Sequence, residues 1–300
     1  MPRLSEQELA HRRTGMGSTC VVEACGIAPW SGAGPMRLYC EKLGIASPDD
    51  AVEDPEREDW LEWGHIIEPV VADWYERTHG VKLQLGGPVF SYERPNFWAT
   101  LDRTIIGGNK GVEIKNVGSP QLYRHWDASN ADGVPTYVRA QVTLAMRYHG
   151  AREWDVAAAI GGRPPYVWTV FYDEELSDML YEGGLRFWQL VESRTAPPLD
   201  ATDATRAYLR HKYPANTDRT IREVNDEEVV AIAQARSDGA FNRKTGEAVV
   251  KACDAKLMAI CGDSDGIRGE WGSFTWKLNK AGVRASRFTA GREGRDGQED

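Results

Sequence analysis

Asp102, Glu113 and Lys115 fall within WATLDRTIIGGNKGVEIKNV, and two carboxylates beside an ammonium can bind a divalent metal and assist a hydrolysis. The run is expected to form two strands, 98–106 and 111–117, joined by Gly107-Gly108-Asn109-Lys110. Gly-Gly favours a tight hairpin, because positive φ costs glycine little. A two-residue turn sets Asp102 opposite Glu113, whereas a four-residue turn sets it opposite Lys115. Strand residues alternate faces, so the three side chains share one face under both registers. The plainer reading of Glu-x-Lys is a solvated charge ladder on a surface strand. Gly111-Val112 before it and Asn116 after it instead gather the polar groups on one side of a half-buried strand.

The flanking elements must hold that face in place. Across 51–80, Trp60, Leu61, Ile67, Val70, Val71 and Trp74 recur at helical spacing, and the helix should stop at Gly80. Inside it, Glu68 precedes Pro69, which frees the carbonyl of His65 and should bend or restart the helix. Short strands are expected at 81–85 and 89–92, and a second amphipathic helix, 135–150, carries Gln141. Strands at 154–161 and 166–172 follow, then a helix at 173–193 opened by Asp173-Glu174-Glu175. TAPPLDATDAT, 195–205, reads as a boundary. Beyond it come helices at 226–236 and 245–261, a strand pair at 269–277 and 283–288, and a tail, 289–300, expected to be disordered.

With 41% apolar residues and eleven tryptophans in 300, the chain can bury a large core. No apolar run nears the ~20 residues of a membrane span. MPRLSEQELAHRR has no signal-peptide core, so a soluble cytoplasmic protein is expected. Five cysteines without CxxC spacing fit reduced thiols and offer no zinc or iron–sulfur ligand set. The net charge of −9 does not predict a nucleic-acid partner, but it is unevenly spread. Eight acids lie at 49–62, a solvated loop and helix start, so a DNA groove would be a local patch.

Near the N-terminus, Gly17-Ser18-Thr19 opens a helix just after Arg12 and Arg13. Free N–H groups, a hydroxyl and two guanidinium groups suit an anion, although an ordinary helix cap with exposed arginines is the plainer reading. Trp30 reads as core, and Tyr137 and Trp126 as groove-lining residues. His65 reads as a structural hydrogen-bonding residue, since hard metals prefer oxygen.

Taken in order, RTGMGST…GIAPW, WGHIIEP, LD…EIK and YVRAQVTLAM resemble the YqaJ viral recombinase group, relatives of phage lambda exonuclease in the PD-(D/E)xK nuclease superfamily. The resemblance covers residues 12–200. No proline precedes Asp102, and Ala145 stands where related RecB-type nucleases carry tyrosine. That alanine, with the missing cysteine cluster, separates the chain from helicase-linked and CRISPR-associated exonucleases. The resemblance implies an α+β (α/β/α) restriction-endonuclease-like core at 1–200, a central mixed sheet flanked by helices. Residues 206–288 would then be a C-terminal extension with a helical pair and a strand hairpin.

The same resemblance implies a 5′→3′ exonuclease that acts on double-stranded DNA ends and leaves 3′ overhangs. A single-strand annealing protein would be its partner, and a homotrimer or other homo-oligomer its assembly. Asp102, Glu113 and the Ile114 carbonyl would hold Mg²⁺, with Mn²⁺ able to substitute, and Glu68 would serve a second ion. Lys115 would be catalytic, either activating water or stabilising the phosphate, with Gln141 the family's helix glutamine beside it. Ser18 with Arg12 or Arg13 would receive a 5′-phosphate. The rival readings are a structure-specific or nicking endonuclease on the same core, and a non-catalytic DNA-end or protein-binding module.

Overall fold

Alternating apolar residues and glycine-bounded helices give the first part of the chain the order α1 (Glu6–Arg13), β1 (Met16–Gly17), α2 (Ser18–Ala24), α3 (Pro35–Leu43), α4 (Pro55–His79), β2 (Leu83–Leu85), β3 (Pro88–Phe90), β4 (Phe97–Thr100), β5 (Arg103–Ile105) and β6 (Gly111–Val117). Then come α5 (Thr136–His149), β7 (Glu153–Ile160), β8 (Tyr166–Phe171), α6 (Glu174–Glu192) and α7 (Asp203–Lys212). This computed structural model describes residues 6–30, 32–45, 55–118, 123, 125–127, 129–130, 132–200, 202–213, 227–261, 264–269, 272–278 and 284–290. It divides into two compact units, 1–216 and 217–300. Among the described residues, no helix is long and apolar enough to cross a membrane.

The first unit is an α+β fold around a mixed five-stranded sheet in the order β2-β5-β6-β7-β8. β6 and β7 run parallel, joined by the crossover helix α5, and the other neighbours are antiparallel. On one face α4 packs Val71, Ala72 and Tyr75 against Val112, Ile114 and Ala157. On the other, α5 packs Val138, Val142, Ala145 and Met146 against Val117, Val156 and Ala158. The far side of α5, through Ala140 and Leu144, joins a helical layer with Val21, Met36, Leu38, Phe97 and Trp188. With both long faces apolar, α5 is buried between the layers, and Gly150 closes it at φ 83°.

Four differences from the expected elements have local causes. The strand expected at 98–106 is two strands in two sheets: β4 pairs with β1 and β3, and β5 pairs with β2 and β6. The chain changes sheets at Leu101-Asp102, held by the Gly86 N–H donating to the Asp102 carbonyl at 3.0 Å. A Cβ on Gly86 would lie 2.1 Å from the Leu101 oxygen, so only glycine allows that crossing. Second, α4 runs unbroken through Pro69 instead of restarting there. Third, α7 belongs to the first unit, where Ala204 and Tyr208 fill the core, whereas the extension was expected from residue 206. Fourth, the second unit holds one 35-residue helix, α8 (Glu227–Cys261), in place of two. It precedes a three-stranded sheet of β9 (Gly266–Gly269), β10 (Gly272–Leu278) and β11 (Arg284–Ala290). Thr289 and Ala290 of the expected disordered tail are in β11, and 291–300 lie outside the described residues.

Candidate active site

The hairpin that carries the acidic pair adopts the shorter register. Arg103 pairs with Val112 and Thr104 with Gly111, the alignment that sets Asp102 opposite Glu113. Gly107 takes φ 80° in the turn, closed by the Gly108 N–H donating to Ile105 O. β5 is short, so the β6 edge continues past it without a strand partner among the described residues. Asp102 fills the gap: its Oδ2 accepts the Ile114 N–H at 2.7 Å. In a strand the N–H and C=O of one residue point to the same side. The Ile114 carbonyl therefore faces the same edge as the Asp102 carboxylate.

Glu113 is 2% exposed, and its Oε1 receives both the Lys115 Nζ at 2.5 Å and the Gln141 Nε2 at 2.8 Å. Lys115 also donates to Gln141 Oε1 at 3.2 Å. The Gln141 amide thus joins acid and base in one closed triangle, and both bonds on Glu113 fall on a single oxygen. Burial pushes the Lys115 ammonium down, but Glu113 and Asp102 outweigh it and hold its pKa above the ordinary lysine value. Lys115 is therefore a charged donor at neutral pH. The Asp102 carboxyl is pushed up to about 7, first by burial and then by Glu113, with Glu68 adding to the rise. Lys115 and the Ile114 N–H act in the opposite direction.

Glu68 reaches this edge from α4. Its Oε1 accepts from Arg103 Nη1 at 2.5 Å, and the same nitrogen donates to the Asp102 carbonyl at 2.7 Å. Among the described residues, no three His, Cys, Asp or Glu side chains converge on one point. A Mg²⁺ site does not require three, because this ion is usually held by one or two carboxylates and retains several waters. The donors at this edge are hard oxygens, and Asp102 is crowded by two acids with one lysine opposing them. Asp102, Glu113 and the Ile114 carbonyl therefore fit a hard divalent cation, whereas Glu68 is engaged elsewhere.

The other expected residues are distributed less closely. Arg12 and Arg13 end α1, and Ser18, buried, begins α2 after Gly17. The Arg12 Nε lies 3.8 Å from Glu41 Oε1, and no hydrogen bond joins Ser18 to either arginine among the described residues. Trp126 is 7% exposed and packs on Trp168, so it is core rather than groove. Trp30, expected in the core, is 39% exposed and meets Tyr137 edge-on at 6.3 Å. His65 is exposed on α4. Arg103 was missed, because strand alternation puts it on the face opposite Asp102 and its partner lies on a distant helix. Lys42 was also missed: it is buried and bound to the Arg12 carbonyl at 2.6 Å and to Cys20 Sγ at 3.3 Å. Nothing in its sequence neighbourhood signals that burial.

Residues 9–152 match the family model described as the YqaJ-like viral recombinase domain. The protein YqaJ of Bacillus subtilis (strain 168) is 26% identical over 213 residues, 69% of this chain and 63% of that protein. The chain thus spans less than two thirds of the relative's length. Among solved structures, the alkaline exonuclease LHK-Exo from Laribacter hongkongensis is similar with a TM-score of 0.47 at 16% identity, over 69% of this chain and 97% of that one. A phage related exonuclease from Haemophilus somnus 129PT gives 0.40 at 10% identity, over 60% and 96%.

Proposed function

We propose, from the premise that residues 9–152 match the YqaJ-like viral recombinase domain, that the chain is a metal-dependent deoxyribonuclease acting as an exonuclease on linear double-stranded DNA. The observation that supports the reading most is the closed Glu113–Lys115–Gln141 triangle beside Asp102 at the end of β5. Phosphodiester hydrolysis needs a positioned water, charge neutralisation on the phosphate and protection of the ligands from rearrangement. Mg²⁺ bound at Asp102, Glu113 and the Ile114 carbonyl would acidify the attacking water and offset charge on the phosphoryl oxygens.

This chain's own residues do the remaining work. Glu113 and Asp102 are fixed before any ion arrives, by Gln141 and the Ile114 N–H respectively, so little reorganisation accompanies binding. Lys115, kept protonated by the two acids, donates a hydrogen bond to the water or to a non-bridging phosphate oxygen. Gln141 holds the ammonium toward that position. Ser18 with Arg12 or Arg13 would take a 5′-phosphate, giving 5′→3′ polarity and a 3′ overhang suited to a single-strand annealing protein. A ring-shaped homo-oligomer would add processivity.

Linear duplexes labelled at either end, with and without a 5′-phosphate, test this reading against a covalently closed circle. With Mg²⁺ or Mn²⁺ the 5′ label should be released first, 5′-hydroxyl ends should react more slowly, and the circle should survive. Cleavage of the circle would establish an endonuclease instead, and undiminished cleavage in excess EDTA would remove the metal mechanism.

A further inference from the structure

Arg103 stands at the acidic edge, and the hydrolysis scheme leaves it unused. Its guanidinium is 12% exposed and holds Glu68, itself 25% exposed, through a contact of 2.5 Å. The nitrogen that makes this contact also donates to the backbone carbonyl of Asp102. The pair therefore ties α4 directly to the point where the chain changes sheets. Glu68 is near enough to Asp102 for their charges to repel. Turning Glu68 away from Arg103 and toward Asp102 and Glu113 would bring three carboxylates together with only Lys115 to compensate. Without another cation that movement is unfavourable, and with a divalent ion present it becomes favourable. The turn of α4 that carries Glu68 already lacks one ladder hydrogen bond, since Pro69 has no N–H.

We propose that Arg103 is a latch: it holds Glu68 in the metal-free protein, yields it to a divalent cation, and then presents its freed guanidinium to a phosphate of the DNA strand. The latch explains why Glu68 stands beside the acidic pair but does not converge with it. The backbone bond to Asp102 keeps Arg103 anchored after Glu68 departs. A guanidinium has five donors in a fixed fork, so one can remain on the carbonyl while others meet phosphate oxygens. The second half of the proposal rests on the nuclease reading, and the first half does not. Competition for Glu68 is reciprocal: whatever factor the ion loses to Arg103, the Arg103–Glu68 pair loses to the ion.

The test is a Mn²⁺ titration of the whole chain without DNA, read by the electron paramagnetic resonance of free Mn²⁺. Arg103→Gln should bind Mn²⁺ more tightly by roughly 5–150-fold, the range of ordinary coupling between sites. Glu68→Gln in the Arg103→Gln background should erase that gain, a result that a merely structural arginine would not give. Arg103→Lys, a milder change should the glutamine variant fail to fold, should show a smaller gain in the same direction. On linear duplex with saturating Mn²⁺, Arg103→Gln should lower kcat although its metal site is fuller. Unchanged or weaker Mn²⁺ binding in folded Arg103 variants would overturn the latch. Tighter binding in a chain that cleaves no DNA would support the latch and remove the nuclease reading instead.

Discussion

Asp102→Asn is expected to abolish DNA hydrolysis and at the same time to raise the melting temperature of the metal-free protein at pH 8. The Asp102 carboxyl titrates at about 7 in the fold, above the ordinary 3.8, chiefly because burial and then Glu113 disfavour its charge. The folded state thus holds this proton more tightly than the unfolded chain does. Stability from this group is complete below pH ~4, falls as the pH rises toward 7, and is lost above it. At about 1.36 kcal/mol per pKa unit, and with the charge shared among neighbours, the cost at pH 8 is on the order of 2–4 kcal/mol. Asparagine removes that cost, and its side-chain oxygen can still accept the Ile114 N–H. It is a poorer ligand for a hard cation, so activity should fall roughly a hundredfold or more. Thermal unfolding in EDTA at pH 5 and pH 8, beside a nuclease assay, checks both halves. A variant less stable than the parent at pH 8 would refute the charge-crowding account, and an active one would remove Asp102 from the site.

Gly111→Ala should damage the fold itself. Gly111 begins β6, between Thr104 of β5 and Trp154 of β7. A Cβ there would lie 1.9 Å from Cζ2 of Trp154, whose side chain is fully buried. The indole cannot withdraw into solvent, so the strand or the ring must shift. Overpacking of this kind costs roughly 1–3 kcal/mol and sometimes more, and the position argues for the upper end. A denaturant midpoint unchanged from the parent would mean that Trp154 has room to move. Because β6 carries Glu113 and Lys115, the same substitution should depress activity in molecules that remain folded.

What the sequence makes legible is governed by distance along the chain. The Glu113-x-Lys115 alternation, the Gly-Gly turn and the helix that carries Gln141 are local patterns, whereas the meeting of Gln141 with Glu113 and Lys115 is legible only through the family resemblance. The break at Leu101-Asp102 is not local in that sense. Period-two alternation reads the same whether a strand stays in one sheet or passes to another, so 98–106 looks continuous. The Arg103–Glu68 pair joins residues 35 apart in sequence, and only the packing of α4 on the sheet brings them together. Trp30 and Trp126 exchange their expected places for a related reason: an isolated tryptophan shows no periodicity from which burial could be inferred. In α8, the run Ser237–Lys244 with Gly239 reads as a break, yet a glycine costs a helix only about 1 kcal/mol, which a long helix can absorb.

The parallel pairing of β1 with β4 bears on how variants near the N-terminus can be interpreted. Met16 aligns with Phe97 and Gly17 with Trp98, and the Met16 N–H donates to Asn96 O at 2.8 Å. A Cβ on Gly15 would lie 1.9 Å from that same oxygen, so this join leaves no slack. Arg12, Arg13 and Ser18 are therefore fastened to the strand whose next turn of chain is Asp102. A substitution among them that displaces β1 moves β4, and with it the Asp102 carboxylate that follows β4. On the proposed nuclease reading, kinetic defects at 12–18 would mix end recognition with chemistry unless the two are measured separately, for instance by comparing phosphorylated and unphosphorylated ends at the same variant. A true end-binding defect narrows the difference between those substrates, whereas a displaced Asp102 slows both alike.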